Sequence, residues 1–112
     1  MQYKTINFKG KEPCEIITEA MFEIACSRAD GEELVKFILP TEESAGTFYK
    51  KNISELLKTL KKMKSAGLIQ FFATQASFTE ATTEAVFLIN KYPTVFENSD
   101  FAKEEGYVFV KI

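Results

Sequence analysis

Leu34-Val35-Lys36-Phe37-Ile38-Leu39-Pro40 is the stretch on which the fold turns. It is too short for a buried helix and is stopped by a proline. In a strand, successive side chains point to opposite faces. Here Val35, Phe37 and Leu39 lie on one face and Leu34 and Ile38 on the other. A strand that is apolar on both faces belongs inside a sheet covered on both sides. Tyr107 to Ile112 repeats the pattern, with Val108, Val110 and Ile112 against Tyr107 and Phe109. The adjacent Phe71 and Phe72 also send one ring to each face.

Working outward, Tyr3 to Lys9 alternates as a first strand, and Pro13 sits where a first helical position is expected. Cys14, Ile17, Met21 and Ile24 follow at helical spacing, and Gly31 ends that helix. A second helix of about 47–65 carries Ile53, Leu56, Leu57, Leu60 and Met63, with Gly67 as its stop. Leu68 to Thr74 is a third strand. Ser77-Phe78-Thr79-Glu80 has the form of a capping box opening a third helix. That helix turns Ala81, Ala85, Leu88 and Ile89 inward and stops before Pro93. The order βαβαβαβ predicts an α/β fold, a two- or three-layer sandwich around a largely parallel sheet with right-handed crossovers. Residues 1–112 form one domain. Val35, Phe37, Ile38, Phe71 or Phe72, Leu57, Leu60 and Val108 are expected in its core.

Composition removes many functions. Apolar residues make up 46% of the chain, enough for a core without disulfides or metals. No apolar run approaches the roughly 18 residues of a membrane span. The opening MQYKTINFKG has no signal core, so a cytoplasmic location is expected. There is no histidine, hence no imidazole base, no Ser-His or Cys-His pair and no histidine-bound zinc. Cys14 and Cys26 stand in one helix, about 18 Å apart at 1.5 Å per residue. They cannot bridge. They read as small buried thiols, and with only two of them a thiolate zinc site is excluded. No cofactor is expected.

Two polar features are candidates for chemistry. The loop at 39–46 lies where α/β sheets bind ligands, but it offers Pro40, which has no N–H, and Glu42-Glu43, which repel anions. Two glutamates at a helix start are most simply favourable charges on its dipole, and only secondarily a carboxylate pair. The second feature is a lysine stripe: Lys50, Lys51, Lys58, Lys61, Lys62 and Lys64 place six of the fourteen basic residues in one helix. With Lys9, such a stripe is able to grip a phosphate backbone. The same pattern describes the solvated face of an amphipathic helix, and the net charge of −2 gives no global attraction to nucleic acid.

Nearly end to end, the chain resembles the Smr (small MutS-related) domain. Ile6-Asn7-Phe8-Lys9-Gly10 lies where that family has its L-D-L-H-G strand, and Leu34 to Ile38 where the strand before H-G-x-G occurs. Lys58 to Leu68 and Gly106 to Val110 fit the later helix and the glycine-led last strand. The resemblance implies a fold like the C-terminal domain of translation initiation factor three, with an added helix near residues 79–91. Many Smr domains cut DNA or RNA, but the residues that do so are missing. The H-G-x-G loop falls on Leu39-Pro40-Thr41-Glu42, the acidic position on Asn7 and the first histidine on Lys9; only Gly10 survives. The expectation is therefore a non-catalytic Smr-like domain that binds a partner protein or itself. The alternatives are a nucleic-acid-binding module using Lys9, Lys50, Lys51, Lys58, Lys61 and Lys62, or a residual nuclease using Glu42 or Glu43. If the helices leave an aromatic strip uncovered, a homodimer through Phe and Tyr of the C-terminal third is expected.

Overall fold

The computed structural model describes residues 3–8, 11, 13–40, 49–96 and 106–112, and for residues 3, 13, 14 and 49–52 the main chain alone. Its strands are β1 (Tyr3–Asn7), β2 (Leu34–Ile38), β3 (Phe71–Thr74) and β4 (Tyr107–Lys111). Helix α1 (Pro13–Ala29) joins β1 to β2, and α2 (Tyr49–Ser65) lies between β2 and β3. Three short helices follow β3: α3 (Gln75–Thr79), α4 (Thr83–Lys91) and α5 (Pro93–Phe96).

The four strands form one sheet in the order β1-β2-β4-β3. Only the β1–β2 pairing is parallel: β1, β2 and β3 all run one way, and β4, inserted between β2 and β3, runs antiparallel to both neighbours. The expectation of a largely parallel sheet is corrected here, and the reason is local. One long crossover helix after β3 would carry the chain to the far end of the sheet. Ala81, held at φ 52°, and Pro93 instead break that segment into three pieces. The chain returns to the end it left: Leu39 N–H donates to the Gly106 carbonyl at 2.6 Å, beside the point where β3 stops. β4 therefore enters from that end, between β2 and β3.

Alternation along the strands divides the interior into two cores. On one face Val35, Phe37, Val108 and Val110 pack with Ile16, Ala20 and Ile24 of α1 and Leu56, Leu60 and Met63 of α2. On the other, Leu34, Tyr107 and Phe109 pack with Leu88, Tyr92 and Phe96. The fold is thus a three-layer α/β sandwich. Phe8 follows β1, donates its N–H to Ile38 at 2.7 Å and stacks on Phe37 at 5.1 Å. Both long helices end on a glycine with positive φ, Gly31 at 74° and Gly67 at 76°, a conformation that costs other residues roughly 1–2 kcal/mol.

Several expectations move. The third strand begins at Phe71 rather than Leu68, and Leu68 is exposed. Ser77 does not cap a helix: Thr74 does, its N–H donating to Ser77 Oγ at 3.1 Å, while α4 is capped by Thr82. Ala81 lies in the exposed turn before α4 and Ile89 is exposed on the flank of α4, whereas Ala85 and Leu88 are buried as expected. Val35, Phe37, Leu60 and Val108 are fully buried. Phe71 and Phe72 are each only half-buried because β3 is an edge strand, and Ile38 and Leu57 are half-buried too. Cys26 is free and half-buried rather than buried, since it lies on the flank of α1. The aromatic strip expected to be left open is the second core, closed by the chain's own short helices: Phe78 and Phe96 both touch Phe109. Among the described residues, no helix is long and apolar enough to cross a membrane.

Because the two cores share the central strands β2 and β4, they should fail together. Leu60→Ala and Leu88→Ala, one on each side of the sheet, are each expected to cost about 2–5 kcal/mol. Urea unfolding followed by circular dichroism and by tyrosine fluorescence should give one coincident transition for both variants; separate transitions would show two independent layers.

Candidate functional surfaces

Three regions carry polar or unsatisfied surface. The first is the end of the sheet at which β2 and β3 stop. A cleft of about 170 Å³ there is lined by Leu39, Ile53, Leu57, Thr74, Gln75, Ala76, Gly106 and Tyr107. Its place is the one at which α/β sheets bind ligands. None of those eight residues is charged; Thr74 and Tyr107 bring hydroxyls to the lining and Gln75 an amide. Glu42 and Glu43 fall in residues 41–48, outside the described residues.

The second region is α2. Lys58, Lys61 and Lys62 are exposed on the side opposite Leu56, Leu60 and Met63, as the helical period requires. Lys64 is exposed beside them. Lys50 and Lys51 belong to the first turn by their main chain, and Lys9 lies outside the described residues. Among the described residues, none of Lys58, Lys61, Lys62 and Lys64 makes an ion pair. Among those residues ion pairs join Lys4 with Glu23 at 2.7 Å, Lys11 with Glu19 at 3.2 Å, and Lys91 with Glu33 at 4.0 Å. The Glu23 hydrogen bond holds the Lys4 ammonium above its ordinary range, against the desolvation of its partly covered site.

The third region lies at the opposite end of the sheet, where β2 begins and β4 ends. Lys111 is only 4% exposed, and its Nζ donates to the main-chain oxygen of Ile112 at 3.0 Å. Burial lowers its affinity for a proton, Lys91 lowers it further, and Glu33 acts the other way. The Tyr92 hydroxyl donates to Glu33 Oε1 at 3.5 Å. Burial first, and then the Glu33 charge and that hydrogen bond, push the Tyr92 phenol up. The Lys111 amine is enclosed while Glu33 and Lys91 reach solvent, so the cluster is a partly exposed polar network that links the end of α4 to the end of the sheet. A lysine ending an otherwise apolar central strand, Tyr-Val-Phe-Val-Lys, was the signal for it in the sequence. Among the described residues no three metal-binding side chains gather.

Apolar side chains are also left outside both cores. Val86, Phe87 and Ile89 are exposed on α4, where Phe87 meets Phe71 edge-on at 5.6 Å and lies under Lys91 Nζ. Met21 and Phe22 stand out from α1, with Phe22 63% exposed. Among the described residues Phe22 has no ring or cation partner. Comparison of the chain with protein-family models, curated proteins and solved structures finds no match.

The Lys111 cluster makes a sign-definite prediction. A base whose folded pKa is depressed destabilises the fold while it is protonated, and the penalty fades as pH rises toward the ordinary lysine value of 10.5. Lys111→Met should therefore be more stable than the parent near neutrality, with an advantage that shrinks as pH approaches 10.5. Urea midpoints measured across that range check it; a constant or widening gap would contradict the burial argument.

Proposed function

We propose that this chain is a non-catalytic, Smr-like α/β domain that works by protein contact, with a partner protein or with a second copy of itself. The observation that carries the reading is the outer face of α1. A surface helix of a domain that works alone keeps one apolar side, turned inward. α1 instead turns Ile16, Ala20 and Ile24 to the core while Met21 and Phe22 stand in solvent. Exposed apolar surface of this kind marks interaction sites. The family part of the proposal is supported by the order of the elements and by α4, which stands near where the resemblance puts an added helix. A cytoplasmic location belongs to the same proposal and rests on the sequence.

A second reading has its own observation. The exposed lysines of α2 make no ion pairs among the described residues, which suits a nucleic-acid module built on Lys58, Lys61 and Lys62 with Lys9, Lys50 and Lys51. Against it stands the net charge of −2. A residual nuclease would have to draw on Glu42 or Glu43, since no described residue lining the cleft is charged.

Purified protein should leave supercoiled plasmid and structured RNA intact, with or without magnesium. RNA binding measured by anisotropy should be weak and vanish near physiological salt, because each phosphate contact releases counterions. Cleavage abolished by Glu42→Ala or Glu43→Ala would replace this reading with the nuclease. Tight binding destroyed by Lys58→Glu would replace it with the nucleic-acid module.

A further inference from the structure

From Leu68 to Thr79 the chain carries neither a charge nor a proline, and β3 lies within that run. β4 bonds one side of β3, and among the described residues no strand bonds the other. Sheet edges in proteins that stay single are guarded by a charge, a proline or a bulge. The opposite edge follows that rule, since β1 carries Lys4, held by Glu23. β3 has Phe71 and Phe72 instead, each half-buried and sending one ring to each face. Its remaining protection is its length of four residues, of which Thr74 has its N–H taken by Ser77 Oγ at 3.1 Å. So short a ladder does not hold a partner by itself.

The helix beside it supplies more. Glu84, Phe87 and Lys91 recur at the spacing of one stripe along α4. Phe87 meets Phe71 edge-on at 5.6 Å, which sets that stripe over the margin of the sheet. Lys91 Nζ lies over the Phe87 ring at 5.6 Å. The stripe is therefore an aromatic centre with an acid on one side and a base on the other. Glu84 has no ion pair among the described residues, and Lys91 has one only at 4.0 Å, to Glu33. A two-fold axis at the outer edge of β3 runs the strand and helix of a second copy in the opposite direction. Glu84 then meets Lys91 of the second copy, Lys91 meets its Glu84, and the two Phe87 rings come together between them. We infer that the outer edge of β3 pairs antiparallel with the same edge of a second copy of this chain, flanked by the Glu84–Phe87–Lys91 stripe of α4. The inference rests on the protein-contact reading, takes its second-copy branch, and uses a surface separate from the outer face of α1.

Other occupants fit less well. A strand from an unrelated protein finds the same open main chain, but it answers Glu84 and Lys91 only if a helix with the matching order of charges accompanies it. A nucleic acid meets Glu84 on the same stripe as Lys91, a like charge for its phosphates. On the other face of the sheet Leu57, which lines a cleft with Thr74, turns the Lys61 side of α2 toward this strand. Each copy brings that positive charge, so the dimer is a weak one, with Kd on the order of 10 μM.

The test uses the full chain with reductant present, so that Cys26 forms no disulfide. Sedimentation velocity from about 1 to about 300 μM should show monomer passing to dimer around that Kd. Hydrogen exchange of the outward amides among residues 71–73 should slow severalfold at the upper concentration, because pairing closes their open side. Glu84→Lys and Lys91→Glu should each weaken self-association about tenfold. Mixed in equal amounts, the two variants should pair again at close to the parent's affinity, since each altered charge then meets its opposite across the axis. A structural effect of either substitution is not undone by mixing. Lys91 is exposed and Glu84 half-exposed, and unchanged circular dichroism confirms that each variant folds. A dimer whose β3 exchange ignores concentration, or variants that stay apart when mixed, overturns the inference. A monomer throughout overturns it and leaves the protein-contact reading to a foreign partner. A dimer broken by Phe22→Glu and indifferent to Glu84→Lys overturns it in favour of the α1 face, with the protein-contact reading intact.

Discussion

β4 lies between β2 and β3 with all five of its residues out of water, and both helical layers are anchored to it. Val108 and Val110 receive α1 and α2 from one side. Tyr107 and Phe109 receive the short helices from the other. Its neighbour β2 does the same, with Val35 and Phe37 on one side and Leu34 on the other. A strand in this position has no polar side to offer solvent, so its side chains must be apolar at both parities. Its one exception, Lys111, folds its ammonium back to a main-chain oxygen and joins the network of Glu33, Tyr92 and Lys91.

Much of this architecture was legible from residue order. The two-faced runs at Leu34 and Tyr107 announced buried strands, Pro13 and Gly67 marked helix ends, and the leucines of α2 marked its inner side. The direction of β4 was not legible. Strand direction depends on where a connection ends in space, and the segment after β3 read as one amphipathic helix because Ala85 and Leu88 do share a face. Its break at Ala81 is written in a backbone conformation that alanine rarely adopts, and no local pattern betrays it. The polar cluster at Lys111 escaped for a related reason. Glu33, Tyr92 and Lys111 are far apart in the chain and meet only through the sheet register.

The lysines of α2 were visible in the sequence, but their meaning depends on their neighbours. Read alone, they are a solvated helix face or a phosphate grip. In the fold they share one outer helical layer with the exposed Met21 and Phe22 of α1. Periodicity along one helix cannot reveal that juxtaposition. It requires both helices to lie on the same face of the sheet, as the shared core of Ile24, Leu56 and Leu60 makes them do.

The placement of β4 also orders events during synthesis. The strand that completes the centre of the sheet is translated after the other three, so β2 and β3 leave the ribosome with a vacancy between them. Until residues 107–111 arrive, each presents an unpaired edge and an apolar face, the condition under which nascent chains pair with the wrong strand or with each other. β1 is better protected: Lys4 sets a charge on the edge strand, held there by Glu23. At the interior gap the hazard lasts for the time needed to make the segment that ends in Tyr107. A chaperone that holds exposed apolar strands would act in that interval and have nothing to grip once β4 is home.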